Sequence, residues 1–169
     1  PATSAWESAT SEPGLPGAAA RRRLADYELG RGDAESAARH LVKIADAFPG
    51  DKLALERLVE LGVSPEYTIR GLEGLLEVES RVEVIRTYRA QLADLYWSEL
   101  RDPDRAILHW AARRELGPLS VAEFERYRAV LSERKAWPKL AEVLQDALEQ
   151  AESLEDVRAL KREWALLES

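Results

Sequence analysis

Apolar side chains recur along this chain at the three-to-four-residue spacing that puts them on one face of an α-helix, most plainly at Leu154, Val157, Leu160, Trp164 and Leu167. Strand-like alternation is scarce, and from Ala18 onward the strong helix formers Ala, Leu, Glu and Arg dominate. Several helix starts are explicit. Ser80 with Glu83, Ser120 with Glu123 and Ser153 with Asp156 have capping-box spacing, in which a hydroxyl takes the amide three residues on and the acid reaches back. Asp102-Pro103-Asp104 and Ser64-Pro65-Glu66 combine a capping side chain, a proline where a missing N–H costs nothing, and negative charge at the positive end of the helix dipole. These signals predict nine helices, at about 19–30, 34–47, 52–62, 65–79, 81–100, 103–116, 121–135, 138–151 and 154–168. Short connections make successive helices antiparallel neighbours. Residues 1–17, rich in Pro, Gly, Ser, Thr and Ala, read as a linker or tail that docks only through Trp6 or Leu15.

The chain also matches itself. Shifted by 69 residues, Tyr27 falls on Tyr96, Asp33 on Asp102, Ala37 on Ala106, His40 on His109 and Pro49 on Pro118, which amounts to two copies of a unit of about 34–35 residues. A small residue recurs at Ala37, Gly71, Ala106 and Ala141, and a larger apolar one at Tyr27, Leu61, Tyr96 and Leu131, both spaced 34, 35 and 35. The small residue lets paired helices approach closely, while the larger one and Leu41, Leu75 or Trp110 on the second helix fill the space between layers. The second unit departs most from the pattern, with Gly71 and Gly74 inside a helix and no proline at its end.

Leu24-Ala25 with Tyr27, Gly32-Asp33, Ala37 and Pro49 in the first unit, and Leu92-Ala93 with Tyr96, Ala106, Trp110 and Pro118 in the third, resemble the tetratricopeptide repeat family in divergent, bacterial-type form. The resemblance covers residues 18–151, and 154–168 looks like the first helix of a further unit. It implies an all-α fold: a right-handed α-solenoid of about four antiparallel helix pairs plus a terminal helix. The repeat domain then spans 18–169, with units 18–51, 52–80, 81–119 and 120–152 and a last helix within 153–169 that caps the array or begins another repeat. First helices of such arrays line a groove. Aligning the units on Leu24, Leu58, Leu92 and Tyr127 places Arg22, Asp26, Glu56, Glu60, Asp94, Trp97, Glu125 and Arg126 on that surface, and Trp97 points about 100° away from the repeat Tyr96. The resemblance thus implies a scaffold or adaptor that holds a segment of another protein in an acidic groove. The segment would carry basic and apolar side chains, with Trp97 as the anchor. Co-chaperones of this family clamp a terminal carboxylate with Lys and Asn; this chain has no Asn and sets acids at several inner positions, which disfavours that subclass. The alternative is an assembly domain that associates with itself through residues 154–168.

Composition narrows the function without naming it. A length of 169 residues suits one domain with a sizeable core, and 46% hydrophobic with 33% charged residues suits a folded, water-soluble chain without a membrane-spanning stretch. A net charge of −7 and a pI near 5.1 disfavour a nucleic-acid backbone as partner, and the one basic run, Arg21-Arg22-Arg23, is short. With no Cys there is no disulfide, thiolate nucleophile or cysteine zinc site. His40 and His109 share a repeat position but belong to different layers and lack a third ligand, so neither a metal nor a cofactor is expected. Carboxylate pairs such as Glu77 and Glu79 read as solvated helix faces, and no catalytic motif is present, so the chain reads as a non-enzyme. Trp110, Trp137 and Trp164 are expected in the core. Residues 1–20 lack a basic start and an apolar centre, which favours the cytoplasm while remaining compatible with a processed, exported chain; Pro1 and the absence of Met suggest a segment of a longer array.

Overall fold

The structure, a computed structural model, describes residues 15–151 together with positions 157, 161, 162, 164 and 165. Eight α-helices and no strand occur among the described residues. In chain order they are α1 (Leu15–Gly30), α2 (Ala34–Ala47), α3 (Lys52–Leu61), α4 (Pro65–Val78), α5 (Val82–Ser98), α6 (Pro103–Glu115), α7 (Val121–Glu133) and α8 (Trp137–Gln150). Residues 15–17, assigned to the tail from composition, already belong to α1. Most of the stretch predicted as a ninth helix, 154–168, including the pair Ser153 and Asp156 at its start, lies outside the described residues, as does Trp6. The chain divides into two compact units, Pro1–Tyr88 and Arg89–Ser169.

Helix starts fall where the capping side chains put them. Asp33, Asp51, Ser64, Asp102 and Ser120 each accept a hydrogen bond from the amide three residues on, at 2.9, 3.2, 3.4, 3.1 and 3.4 Å. At Ser120 the full capping box forms, because Glu123 also accepts from the Ser120 amide at 2.8 Å. The box expected at Ser80 does not form. Glu79 takes the amides of Ser80 and Arg81 at 3.0 Å each, while Glu83 turns outward to Arg86 at 2.8 Å. Glu79 thus takes the Ser80 amide that the Glu83 carboxylate was expected to take.

In the first unit α1 packs on α2, α3 on α4, and α2 touches both α3 and α4. Ala37, Ala38, Leu41, Ile44, Leu55, Leu58 and Leu75 form the centre of its core. The small positions are essential at the α3–α4 contact. A Cβ on Gly71 would stand 2.8 Å from the Leu55 carbonyl oxygen and from Val59 Cγ2, and one on Gly74 would stand 2.5 Å from Leu55 Cδ2. The glycines that make this pair look irregular in sequence are what let its two helices touch. Tyr27 departs from expectation: it stays 41% exposed, with the Arg31 guanidinium 5.8 Å from its ring centre, whereas its counterpart Tyr96 is 1% exposed. The neighbour on the second helix differs as well: Arg105, which donates to the Tyr96 hydroxyl at 3.2 Å, has Ser36 as its counterpart.

In the second unit, Tyr96 of α5 stacks on His109 of α6 at 5.4 Å, and Trp110 of α6 stacks on Tyr127 of α7 at 6.2 Å. Leu140, Val143 and Leu144 of α8 close the core. Trp110 is fully buried as expected, but Trp137 is 43% exposed. Trp137 opens α8, ahead of Pro138, and in a helix entering from a turn the first residue lies beyond the face that the second and third turns press onto α7.

Two charged residues sit inside these units, against the expectation that charges are solvated. The Glu79 carboxylate, 4% exposed, gathers Lys52 Nζ at 2.9 Å and Arg81 Nη2 at 2.8 Å as well as two amides, tying the start of α3 to the α4–α5 turn. These donors, Arg81 foremost, hold its carboxyl well below the usual carboxylate range. Arg113 grips Glu123 through two bonds of 2.8 and 2.9 Å and donates to the Gly117 and Pro118 carbonyls at 3.1 Å each, fastening the α6–α7 turn.

Replacing Gly71 by Ala should gain about 1 kcal/mol of helix propensity. It should lose more through the backbone clash with Leu55, for a net destabilisation of about 1–2 kcal/mol in urea unfolding; a raised midpoint would show that the helices can part without cost. Arg113→Ala strands a partly buried carboxylate and two carbonyls, and should cost about 3 kcal/mol by the same measurement.

Candidate functional site

The face nominated from sequence can be followed within each unit. In the second, Asp94 and Trp97 lie three residues apart on α5, one helical turn, and therefore share a side of it. Opposite them on α7, Arg126 donates to Asp94 at 2.6 Å and to the Ala122 carbonyl at 3.2 Å, and its guanidinium lies 5.7 Å from the centre of the Trp110 ring. Burial pushes the Asp94 carboxyl above its ordinary value; Arg126 opposes this and the charge of Glu123 adds to it. Trp97 is half-buried, and its indole N–H donates to Glu133 at 2.9 Å. Glu125, exposed, pairs with Arg128 one turn along at 2.6 Å. Asp94, Trp97 and Arg126 are thus brought together, with Glu133 as an added member.

In the first unit Arg22 on α1 pairs with Asp51 at the start of α3, and Asp26 pairs with Arg57 of α3 at 3.2 Å. Glu56 lies 3.9 Å from Lys52 on its own helix, and Glu60 is exposed. A small open cleft with an apolar floor of Ala25, Leu41 and Ala54 lies between the two ion pairs. The four nominated residues therefore lie along α1 and α3, with Arg22 and Asp26 each drawn to α3.

One contact recurs. Arg57 and Arg126 coincide in the 69-residue self-match, while Asp26 and Asp94, each two residues after Leu24 and Leu92, are one position out of register in it. In both units the aspartate of one first helix grips the arginine of the next, at 3.2 and 2.6 Å. Within each unit the nominated aspartate is consequently offset by an arginine. Arg57, Arg128 and Glu133 were missed. For Arg57 a signal was available, since it aligns with the nominated Arg126, whereas Glu133 at the end of α7 carries none.

The two histidines of the self-match differ in a way the sequence explains. His109 is 7% exposed, and its Nδ1 lies 3.2 Å from Arg89 Nη1. Because a guanidinium can only donate, Nδ1 must be the acceptor and the ring carries its proton on Nε2. The residue 69 positions before Arg89 is Ala20, and the buried Nδ1 of His40 has no hydrogen-bond partner. No group of three or more His, Cys, Asp or Glu able to hold a metal ion occurs among the described residues, and none of their helices is long and apolar enough to cross a membrane.

No protein-family model matches the chain, and no curated protein matches it significantly.

Burial, reinforced by the positive charges of Lys43, Arg21 and Arg39 and opposed by Glu28, holds His40 below its ordinary value of 6.5. A site that resists a proton in the folded state contributes stability in full above the unfolded value near 6.5, and loses it as the pH falls from there toward the lowered folded value. His40→Gln should therefore flatten the decline of the urea midpoint between about pH 7 and 5. An unaltered slope would place the acid sensitivity elsewhere.

Proposed function

We propose that this chain is a protein-binding module built of tetratricopeptide-like helix pairs in a right-handed solenoid, which holds an extended or helical segment of a partner against the face of its first helices. The observation that carries this reading lies in the second unit: a half-buried tryptophan, Trp97, stands beside Asp94, Arg126 and Glu133 on that face, an aromatic anchor in a charged frame. The repeat spacing of Ala37, Gly71, Ala106 and Ala141 supports the family assignment, and the recurring aspartate–arginine contact supports side-by-side first helices within each unit. In this reading the module has no catalytic task and serves as scaffold or adaptor, with a partner segment that is basic and apolar to suit a chain of net charge −7.

Selection of short random peptides displayed on phage against the purified chain tests the proposal. Enriched sequences should combine Lys or Arg with Leu, Ile or Phe, and Trp97→Ala should weaken them about tenfold or more with helical circular dichroism unchanged. Failure to enrich any sequence, or enriched peptides that bind Trp97→Ala as tightly, would refute it.

A further inference from the structure

The Trp97 surface can be assigned a ligand more closely than the face as a whole. Three arginines of α7 and its end are already committed: Arg126 to Asp94, Arg128 to Glu125, and Arg134, next in sequence to Glu133, to Asp104 through bonds of 3.0 and 2.9 Å. Glu133 differs from these acids. Exposed like Glu125 and Asp104, it accepts its hydrogen bond from the neutral indole N–H of Trp97, which holds the carboxylate at the edge of the ring without neutralising it. A carboxylate fixed beside a half-exposed indole offers a cation both of its usual attractions: the ring's negative face and a full opposite charge within a few ångströms. An apolar stem reaching such a cation would lie along the indole, as lysine and arginine stems do.

We propose that Trp97 and Glu133 form a receptor for a single lysine or arginine side chain of the partner segment. The proposal rests on the protein-binding reading above and fixes the chemistry of one of its contacts. The cation stands over or beside the indole and pairs with Glu133, while the Asp94–Arg126 contact stays closed behind it and keeps α5 against α7. Glu133→Gln keeps the hydrogen bond to the indole through its carbonyl oxygen but removes the charge, and so separates the receptor from the mere positioning of Trp97.

The probe is a short peptide in which lysine alternates with leucine, titrated into the uniformly nitrogen-15-labelled chain, with the Trp97 indole N–H resonance identified by its absence in Trp97→Phe. A control peptide carries glutamine in place of lysine. The expected result is a saturable shift of the Trp97 indole resonance with the lysine peptide, about tenfold weaker binding for both Glu133→Gln and the control peptide, and weakening as salt rises. If the lysine peptide moves backbone amides on the chain but leaves the Trp97 indole unmoved, or binds Glu133→Gln unchanged, the receptor is overturned and the protein-binding reading stands. If neither peptide moves any resonance, and peptide display also enriches nothing, both fall together.

Discussion

Helices in this chain meet through small side chains, with Ala37, Gly71 and Ala106 buried at equivalent positions, and the separation this allows decides which larger residues can be enclosed. Each helix is 10 to 17 residues long and apolar along one side only, too short to persist alone in water and unable to cover itself. Close approach converts that weakness into a shared core, in which Leu41, Leu75 and Trp110 occupy corresponding places on second helices despite their different volumes. Where a larger side chain must be admitted the partner yields, as Leu55 does by lying across the space left open at Gly71 and Gly74.

Charge takes the complementary task of fixing how the pieces meet. Exposed ion pairs contribute little energy each, yet Asp26 with Arg57 joins α1 to α3 in the first unit and Asp94 with Arg126 joins α5 to α7 in the second. The two interior charges act at turns, where backbone groups lack helical partners. Glu79 collects amides and Arg113 collects carbonyls, so each side chain satisfies the polarity that its own turn exposes.

Helix limits were legible because they are written in local chemistry: an aspartate or serine three residues before the amide it receives, with or without a following proline. Ser80 was misleading because Glu79, gripped by Arg81 and by Lys52 twenty-seven residues earlier, takes the Ser80 amide in place of Glu83, and the Lys52 contact has no local pattern. The burial of Arg113 was hidden for the same reason, since its partners are made available by the path of the α6–α7 turn. Trp137 read as core because periodicity treats every turn of a helix alike, whereas a first turn extends past its neighbour. Around the candidate site, the placement of Trp97 beside Asp94 followed from helical geometry, while the pairing of Trp97 with Glu133 depended on how far α7 runs before it ends. The self-match proved most informative where it failed: Ala20 stands where Arg89 would donate, and the His40 nitrogen is left without the donor that His109 has.

The α3–α4 pair bears on how such a chain can change over time. By sequence it is the least regular unit, the one that similarity to a repeat consensus would rank as most degenerate and freest to drift. Clearance between backbones ranks it the other way, because at Gly71 there is no room for even one added carbon. Alanine, which holds the equivalent place as Ala37, Ala106 and Ala141, would at Gly71 describe a pair of helices that closes only by pushing its backbones apart.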